Sequence, residues 1–240
     1  MLYKDKFVLV TGASRGVGLL IANYFLENGA TVIGLSRNVS KIGNNPFYFH
    51  FSVDLSDPQS IIDCFRKVIS KQFKTIDIVI NNAAVMTSQY SMIMPVKNAV
   101  DMININLLGV FMVSREAAKL MRSKSQSRII NIGSMASSLE PVGDSIYAAT
   151  KAGIISLANV MAKEFSAYNI TCNTLAITAI DTDMLRSHNE TAQIKIKEII
   201  SNIPVPRFAE KDDILNVIDF FSSDRSSYIT AQTIYLGGIN

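Results

Sequence analysis

Lys6-Phe7-Val8-Leu9-Val10-Thr11-Gly12-Ala13-Ser14-Arg15-Gly16-Val17-Gly18 stands near the start of the chain. Its first six residues form a short run rich in apolar side chains, and a glycine-rich turn follows. From residue 17 to residue 28 apolar side chains then recur at helical spacing until Gly29 stops them. Strand, turn and helix in that order is the context in which a glycine loop takes a dinucleotide. Gly12 permits the turn, Gly16 lets the backbone approach a pyrophosphate, and Gly18 allows the helix to pack closely on the sheet. The free N–H groups at the helix start then face the phosphates. Gly12, Ser14, Arg15, Gly16, Val17 and Gly18 are therefore candidate cofactor contacts.

Further strands are predicted at residues 31–35, 47–53, 76–80, 128–132, 170–177 and 232–236, mostly apolar throughout, as strands covered on both faces are. Helices are predicted at 58–73, 96–123, 145–168 and 212–222. Alternating strands and helices imply an α/β fold, a Rossmann-type doubly wound parallel sheet of about seven strands in a single domain over residues 1–240. Only residues 38–46 separate the second and third strands, so the helix expected there is missing or reduced to a turn. Residues 84–94 and 184–206 read as substrate loops, the second a candidate lid.

Composition narrows the class. With 240 residues and 48% hydrophobic content, the chain can build one substantial core. The net charge is only +3 and its basic residues are interspersed with acidic ones, which gives no reason to expect nucleic acid. Two cysteines, Cys64 and Cys172, and no signal-peptide pattern suit a reducing cytoplasm. The apolar stretches, such as 105–113, fall short of the ~20 residues of a membrane helix, so no membrane partner is expected. No second histidine or cysteine accompanies His50 or His188 at ligand spacing, so no metal site is expected. Met92, Met94, Met102, Met112 and Met121 read as packing residues.

The end of the second strand bears on the nucleotide. A carboxylate there would hold the ribose hydroxyls of NAD(H), but the chain has Ser36-Arg37. Arg37 and Arg15 can pair with a 2′-phosphate, so NADP(H) is preferred, with NAD(H) as the other nicotinamide cofactor. The chemistry is suggested by Tyr147-Ala148-Ala149-Thr150-Lys151, downstream of Ser134. One helical turn sets Lys151 on the face of Tyr147, where its charge can act on the phenol. An unperturbed tyrosine, with pKa about 10, is a poor base at neutral pH, and a nearby cation is expected to favour its phenolate.

These motifs together resemble the classical short-chain dehydrogenase/reductase family nearly end to end. The loop 11–18 is similar to its T-G-x-x-x-G-x-G, Asp54-Leu55 to its adenine-side pair, and Asn81-Asn82-Ala83-Ala84 to its N-N-A-G, with alanine in place of the final glycine. Asn106, Ser134, Tyr147 and Lys151 fall in order on its catalytic tetrad. The resemblance implies that Tyr147 gives a proton to a carbonyl oxygen as hydride arrives from the nicotinamide, and takes it back in the oxidative direction. It also implies that Ser134 holds that oxygen, that Lys151 binds the nicotinamide ribose, and that Asn106 supports a water leading to the lysine. Asp54, Leu55, Asn82, Ala83 and Ala84 become cofactor contacts on the same ground, as do Ile180 and Thr182. Asp54 also reads as part of a helix start capped by Asp57 ahead of Pro58.

The family's usual Pro-Gly pair after the sixth strand is Ile177-Thr178 here, which predicts a shifted loop beside the nicotinamide and weaker cofactor binding. The general pattern nearest to the chain is that of 3-oxoacyl-carrier-protein reductases, implying a carbonyl or alcohol substrate, with a carrier-bound 3-oxoacyl thioester as the leading case. Arg128 stands where such enzymes often have a basic residue for the carrier, and equally reads as a surface charge at a strand start. Tyr168 stands where a second arginine would be expected. The alternatives are a dehydrogenase or ketoreductase of a sugar, polyol or other polar alcohol, and a non-catalytic nucleotide-sensing protein. The family's habit of pairing through the helices at 96–123 and 145–168 implies a homotetramer or a homodimer.

Overall fold

The structure, a computed structural model, describes residues 1–178, 180 and 198–239. Seven strands form one sheet: β1 Phe7–Thr11, β2 Thr31–Leu35, β3 Tyr48–Phe51, β4 Ile78–Asn81, β5 Ser127–Ser134, β6 Ile170–Ile177 and β7 Thr233–Tyr235. They lie in the order β3-β2-β1-β4-β5-β6-β7, and each neighbouring pair runs parallel. The order reverses between β1 and β4, and a doubly wound sheet opens its ligand crevice at that point, beyond the carboxyl ends of the strands.

Alternate side chains of the central strands feed two cores. Leu9, Ile33, Val79, Ile129 and Cys172 join one face, and Val8, Val32, Ile78, Ile130 and Leu175 the other. Both sets are nearly or wholly buried, which explains why the strands are apolar throughout. Helix α1 (Gly16–Glu27) covers the second face with Ile21, Ala22 and Phe25. Helices α2 (Pro58–Cys64), α3 (Ser70–Gln72), α4 (Val96–Ile103) and α5 (Gly109–Met121) precede β5, and the short α6 (Ala136–Leu139) follows it. Helix α7 (Ser145–Phe165) leads to β6, and α8 (Lys211–Ser222) starts with a reciprocal capping box between Glu210 and Asp213.

Between β2 and β3 the described chain has turns and bends but no helix, and Ile42 and Tyr48 pack against the core there. Two of the predicted helices, 58–73 and 96–123, are interrupted by a π-helical turn. Phe65–Ile69 joins α2 to α3, and Asn104–Leu108 joins α4 to α5. The run Val96–Met121 thereby reaches 26 residues, with an 18-residue window of mean hydropathy 1.3. By length and composition it could cross a membrane. In the fold its inner side packs into the core through Met112, Val113, Ala117 and Met121.

Arg128 fits neither of its two readings, because it is 3% exposed. Its guanidinium donates to the Ser127 carbonyl at 3.1 Å, to Gln126 Oε1 at 2.9 Å and to the Ser223 carbonyl at 3.0 Å. It thus ties the start of β5 to the end of α8, and burial lowers its proton affinity. Removing it would strand buried acceptors. Arg128→Ala should destabilise the fold by about 2–4 kcal/mol in urea unfolding, and Arg128→Lys should recover only part of that, since one compact ammonium nitrogen cannot occupy both positions that Nη1 and Nη2 take.

Candidate active site

One cavity of about 680 Å³ runs along the carboxyl ends of β1, β2, β4, β5 and β6. At one end the chain turns sharply out of β1 into α1, with Gly12 at φ +70°. A Cβ on Gly18 would lie 2.3 Å from the Gly12 carbonyl oxygen and 2.5 Å from Asn82 Nδ2, so α1 can approach this closely only with glycine there. Arg15 is the N-cap of α1 and provides no side-chain cap, which leaves the helix N–H groups directed at the cavity mouth. Gly12, Ser14, Arg15, Gly16 and Val17 line the cavity, whereas Gly18 lies beneath the loop as its packing contact.

Ser36, Arg37, Asp54, Leu55, Asn82, Ala83 and Ala84 continue the lining. Asp54 accepts from the Ser56 N–H at 2.9 Å and Ser56 Oγ at 2.7 Å. Those bonds, with the charge of Arg37, hold its carboxyl below the usual carboxylate range. Asp57 is the N-cap of α2, accepting from the Gln59 N–H at 2.9 Å, so the capping role belongs to it and Asp54 keeps its side of the cavity. Arg15 and Arg37 are exposed at the rim, and no carboxylate stands at the end of β2. This glycine cradle and rim fit a nicotinamide dinucleotide.

Ser134, Tyr147 and Lys151 line the same cavity. Ser134 ends β5, opposite Ile177 of β6, and the other two are on α7. Lys151 is 3% exposed and donates from Nζ to the Ile132 carbonyl at 2.8 Å. Its ammonium lies 5.7 Å from the centre of the Tyr147 ring. Burial pulls the Lys151 ammonium down to about 8. On Tyr147 burial is the largest effect and raises the phenol, the hydrogen bond with Ser134 lowers it, and the Asp144 carboxylate raises it again. The net direction is upward, opposite to the expected stabilisation of a phenolate. In a poorly hydrated site both groups favour their neutral forms.

Asn106 is wholly buried within the π-turn and does not line the cavity. Its Oδ1 accepts from the Val85 N–H at 2.9 Å, and its Nδ2 donates to the Val85 carbonyl at 2.8 Å and to Thr150 Oγ1 at 3.3 Å. Its side chain therefore clamps the segment leaving β4 and touches the turn that carries Lys151. Ile180 lines the cavity, and Thr182 lies outside the described residues, as do His188 and the start of the 184–206 loop. Among the described residues, no three His, Cys, Asp or Glu side chains are grouped to hold a metal.

The structure adds lining residues that sequence reasoning missed, Val53, Met135, Val142, Gly143 and Asp144, while Ile199 lines it from within the expected 184–206 loop. Asp144 had a usable signal, an acidic residue at the start of the helix that bears Tyr147. The others are apolar or small residues whose position comes only from the folded loops.

Residues 6–193 match the short chain dehydrogenase family. The chain is 32% identical over 240 residues to the 3-oxoacyl-[acyl-carrier-protein] reductase of Vibrio cholerae, covering 98% of this chain and 97% of that protein. It is 33% identical over 243 residues to the Escherichia coli protein of the same name, covering 99% and 98%. Among solved structures it is similar to the ligand-free aldohexose dehydrogenase of Thermoplasma acidophilum, with TM-score 0.88, 27% identity and 98% and 94% of the chains covered. A putative gluconate dehydrogenase from Agrobacterium tumefaciens gives TM-score 0.89 and 26% identity over 98% and 96%. With the parallel sheet, the glycine cradle and this match over most of its length, the chain belongs to the short-chain dehydrogenase/reductase family of oxidoreductases.

Proposed function

We propose that the protein is an NADPH-dependent reductase of a carbonyl compound, or the corresponding alcohol dehydrogenase in reverse, with Tyr147 as its acid and base. The observation that carries this reading is that Ser134, Tyr147 and Lys151 share one cavity with the glycine loop and Arg37. NADPH, when bound, supplies the hydride. Tyr147, held as a neutral phenol, donates its proton to the carbonyl oxygen, and Ser134 Oγ hydrogen-bonds that oxygen. Lys151 binds the nicotinamide ribose, and Asn106 keeps the wall behind it in place. Gly12, Ser14, Arg15, Gly16 and Val17 hold the pyrophosphate side, Ser36 and Arg37 the 2′-phosphate, and Asp54, Leu55, Asn82, Ala83 and Ala84 the adenosine and inner ribose. Ile180 and Thr182 contact the carboxamide.

A 3-oxoacyl thioester is the first substrate class to assay, on the strength of the carrier-protein reductases that the whole chain resembles. Hydroxylated carbonyls and sugars form the second class, supported by the aldohexose and gluconate dehydrogenases among the similar structures. Arg128 contributes no docking charge for a carrier, since it is buried. Val96, Val100, Ile103 and Phe111 leave an exposed apolar stripe on α4 and α5, which we assign to pairing of subunits in a cytoplasmic homotetramer or homodimer.

Tyr147→Phe should lower turnover by about 10²–10⁴-fold while NADPH fluorescence titration shows unchanged binding. Arg37→Asp should move the cofactor preference in kcat/KM from NADPH toward NADH; an unchanged ratio would place the phosphate contact elsewhere. Stability should also report Lys151. Its folded pKa, about 8, lies below the ordinary 10.5, so between those values the unfolded chain binds more protons and stability rises with pH. Across that window the wild type should gain on the order of 3 kcal/mol relative to Lys151→Met in urea unfolding.

A further inference from the structure

The loop that follows β4 is fastened to the segment entering α7 by three successive hydrogen bonds. Ser88 Oγ donates to Asp144 Oδ1 at 2.5 Å, the Gln89 N–H to the Gly143 carbonyl at 2.7 Å, and Ser91 Oγ to Ser145 Oγ at 3.0 Å. Ser88, Gln89, Gly143 and Asp144 all face the cavity that holds Ser134 and Tyr147. The same loop is gripped at its beginning by Asn106, which pairs with both backbone groups of Val85.

Asp144 is the unusual member of this clasp. It occupies the N-cap of α7, where an aspartate ordinarily accepts from the first turn of its own helix and contributes about 1 kcal/mol. Here its side chain makes no such cap. The carboxylate, in a residue 8% exposed, is directed instead across the cavity wall to Ser88. A buried carboxylate bonded to a distant loop links the two segments more strongly than a neutral pair would, because hydrogen bonds to charge are the stronger ones. Tyr147 lies three residues on, in the first turn of that helix.

We infer that Asp144 is a positioning residue for the reduction: by holding Ser88 it fixes the loop after β4 to the start of α7, so that the carbonyl-facing wall and Tyr147 keep one relative position. This rests on the reductase reading above. Its charge has a second consequence. Among the described residues, the phenol is faced by Ser134 from β5 and by Lys151 and Asp144 from its own helix. Of these, Asp144 opposes loss of the phenol proton. The residue thus favours the protonated acid that reduction consumes.

The test follows NADPH consumption with one carbonyl that the wild type turns over, across a pH series, together with hydrogen exchange of the amides in 85–91. Ser88→Ala and Asp144→Ala should raise KM about tenfold, with kcat within about twofold, unchanged NADPH affinity and faster exchange in the loop. Asp144→Asn keeps an acceptor for Ser88, so KM and exchange should return close to wild type. The alkaline fall of its kcat should move to lower pH, because the charge opposing the phenolate is gone. Unchanged KM and exchange in Ser88→Ala would overturn the inference and leave the reductase reading standing. So would an Asp144→Asn protein that keeps the wild-type pH profile and fails to restore KM. A wild type that reduces no carbonyl overturns the reductase reading and the role of Asp144 with it. Ser88 is in a loop outside the core, so its variant reports even where Asp144→Ala does not fold.

Discussion

Thr11 and Asn82 join β1 to β4 where the strand order reverses, and the geometry of the cavity follows from that joint. Thr11 Oγ1 accepts from the N–H groups of Asn82 at 2.9 Å and Ala83 at 3.0 Å, while Asn82 Nδ2 returns a bond to the Thr11 carbonyl at 3.0 Å. Parallel strands diverge as their ladder ends, so without such side-chain bonds the two chain ends would be free to separate. Held together, they give α1 one place to start, with Gly18 against the Gly12 carbonyl and the Asn82 amide. The joint reaches further along the chain. Past Asn82 the backbone meets Asn106 at Val85, Asn106 reaches Thr150, and Thr150 Oγ1 donates to the Tyr147 carbonyl at 2.8 Å. The nucleotide loop and the tyrosine helix are thus linked by short polar contacts past the carboxyl ends of the strands.

The fold was legible because its strands carry apolar residues on both faces, a pattern that only a covered parallel sheet produces. The missing helix between β2 and β3 could be read from chain length alone, since residues 38–46 are too few for a full crossover. The π-turns could not. Apolar spacing through Asn104–Leu108 is compatible with an uninterrupted helix, and nothing in it marks the wider turn from which Asn106 reaches Val85 and Thr150. π-turns concentrate at functional sites. Burial is likewise a property of the assembled fold. Arg128 looked like a surface charge because it begins a strand, yet the end of α8 folds over it, and the Ser223 carbonyl, 95 residues later in the chain, joins Gln126 and Ser127 as its acceptors.

At the site, residue identity was more legible than electrostatics. The spacing of Tyr147 and Lys151 correctly places the two on neighbouring turns, but it carries no information about hydration. In water an ammonium near a phenol favours the phenolate. In this cavity the loss of water acts on both groups, lowering the ammonium to about 8 and raising the phenol. The Ile132 carbonyl takes one of the lysine's hydrogen bonds and fixes the direction of its ammonium. Under the proposed mechanism, a protonated Tyr147 would be the form that gives its proton in reduction.

Ile177-Thr178 shows how a departure from a familiar motif can be absorbed. Ile177 continues β6 opposite Ser134 on β5, and its carbonyl accepts from the Met135 N–H at 2.9 Å. That bond uses a backbone carbonyl, which proline also has, so it does not depend on the replacement. Thr178 is 6% exposed, and its methyl comes within 3.1 Å of where a side chain on Gly237 would begin. Gly237, at φ +76°, leaves that space open. The threonine thus places its bulk where the chain after β7 has none. Ala179 and residues 181–197 lie outside the described residues, and the expected shift of the loop falls there. Among the described residues, Ser134 at the end of β5 is paired with Ile177 of β6, so the strand end that carries the serine is held to its neighbour.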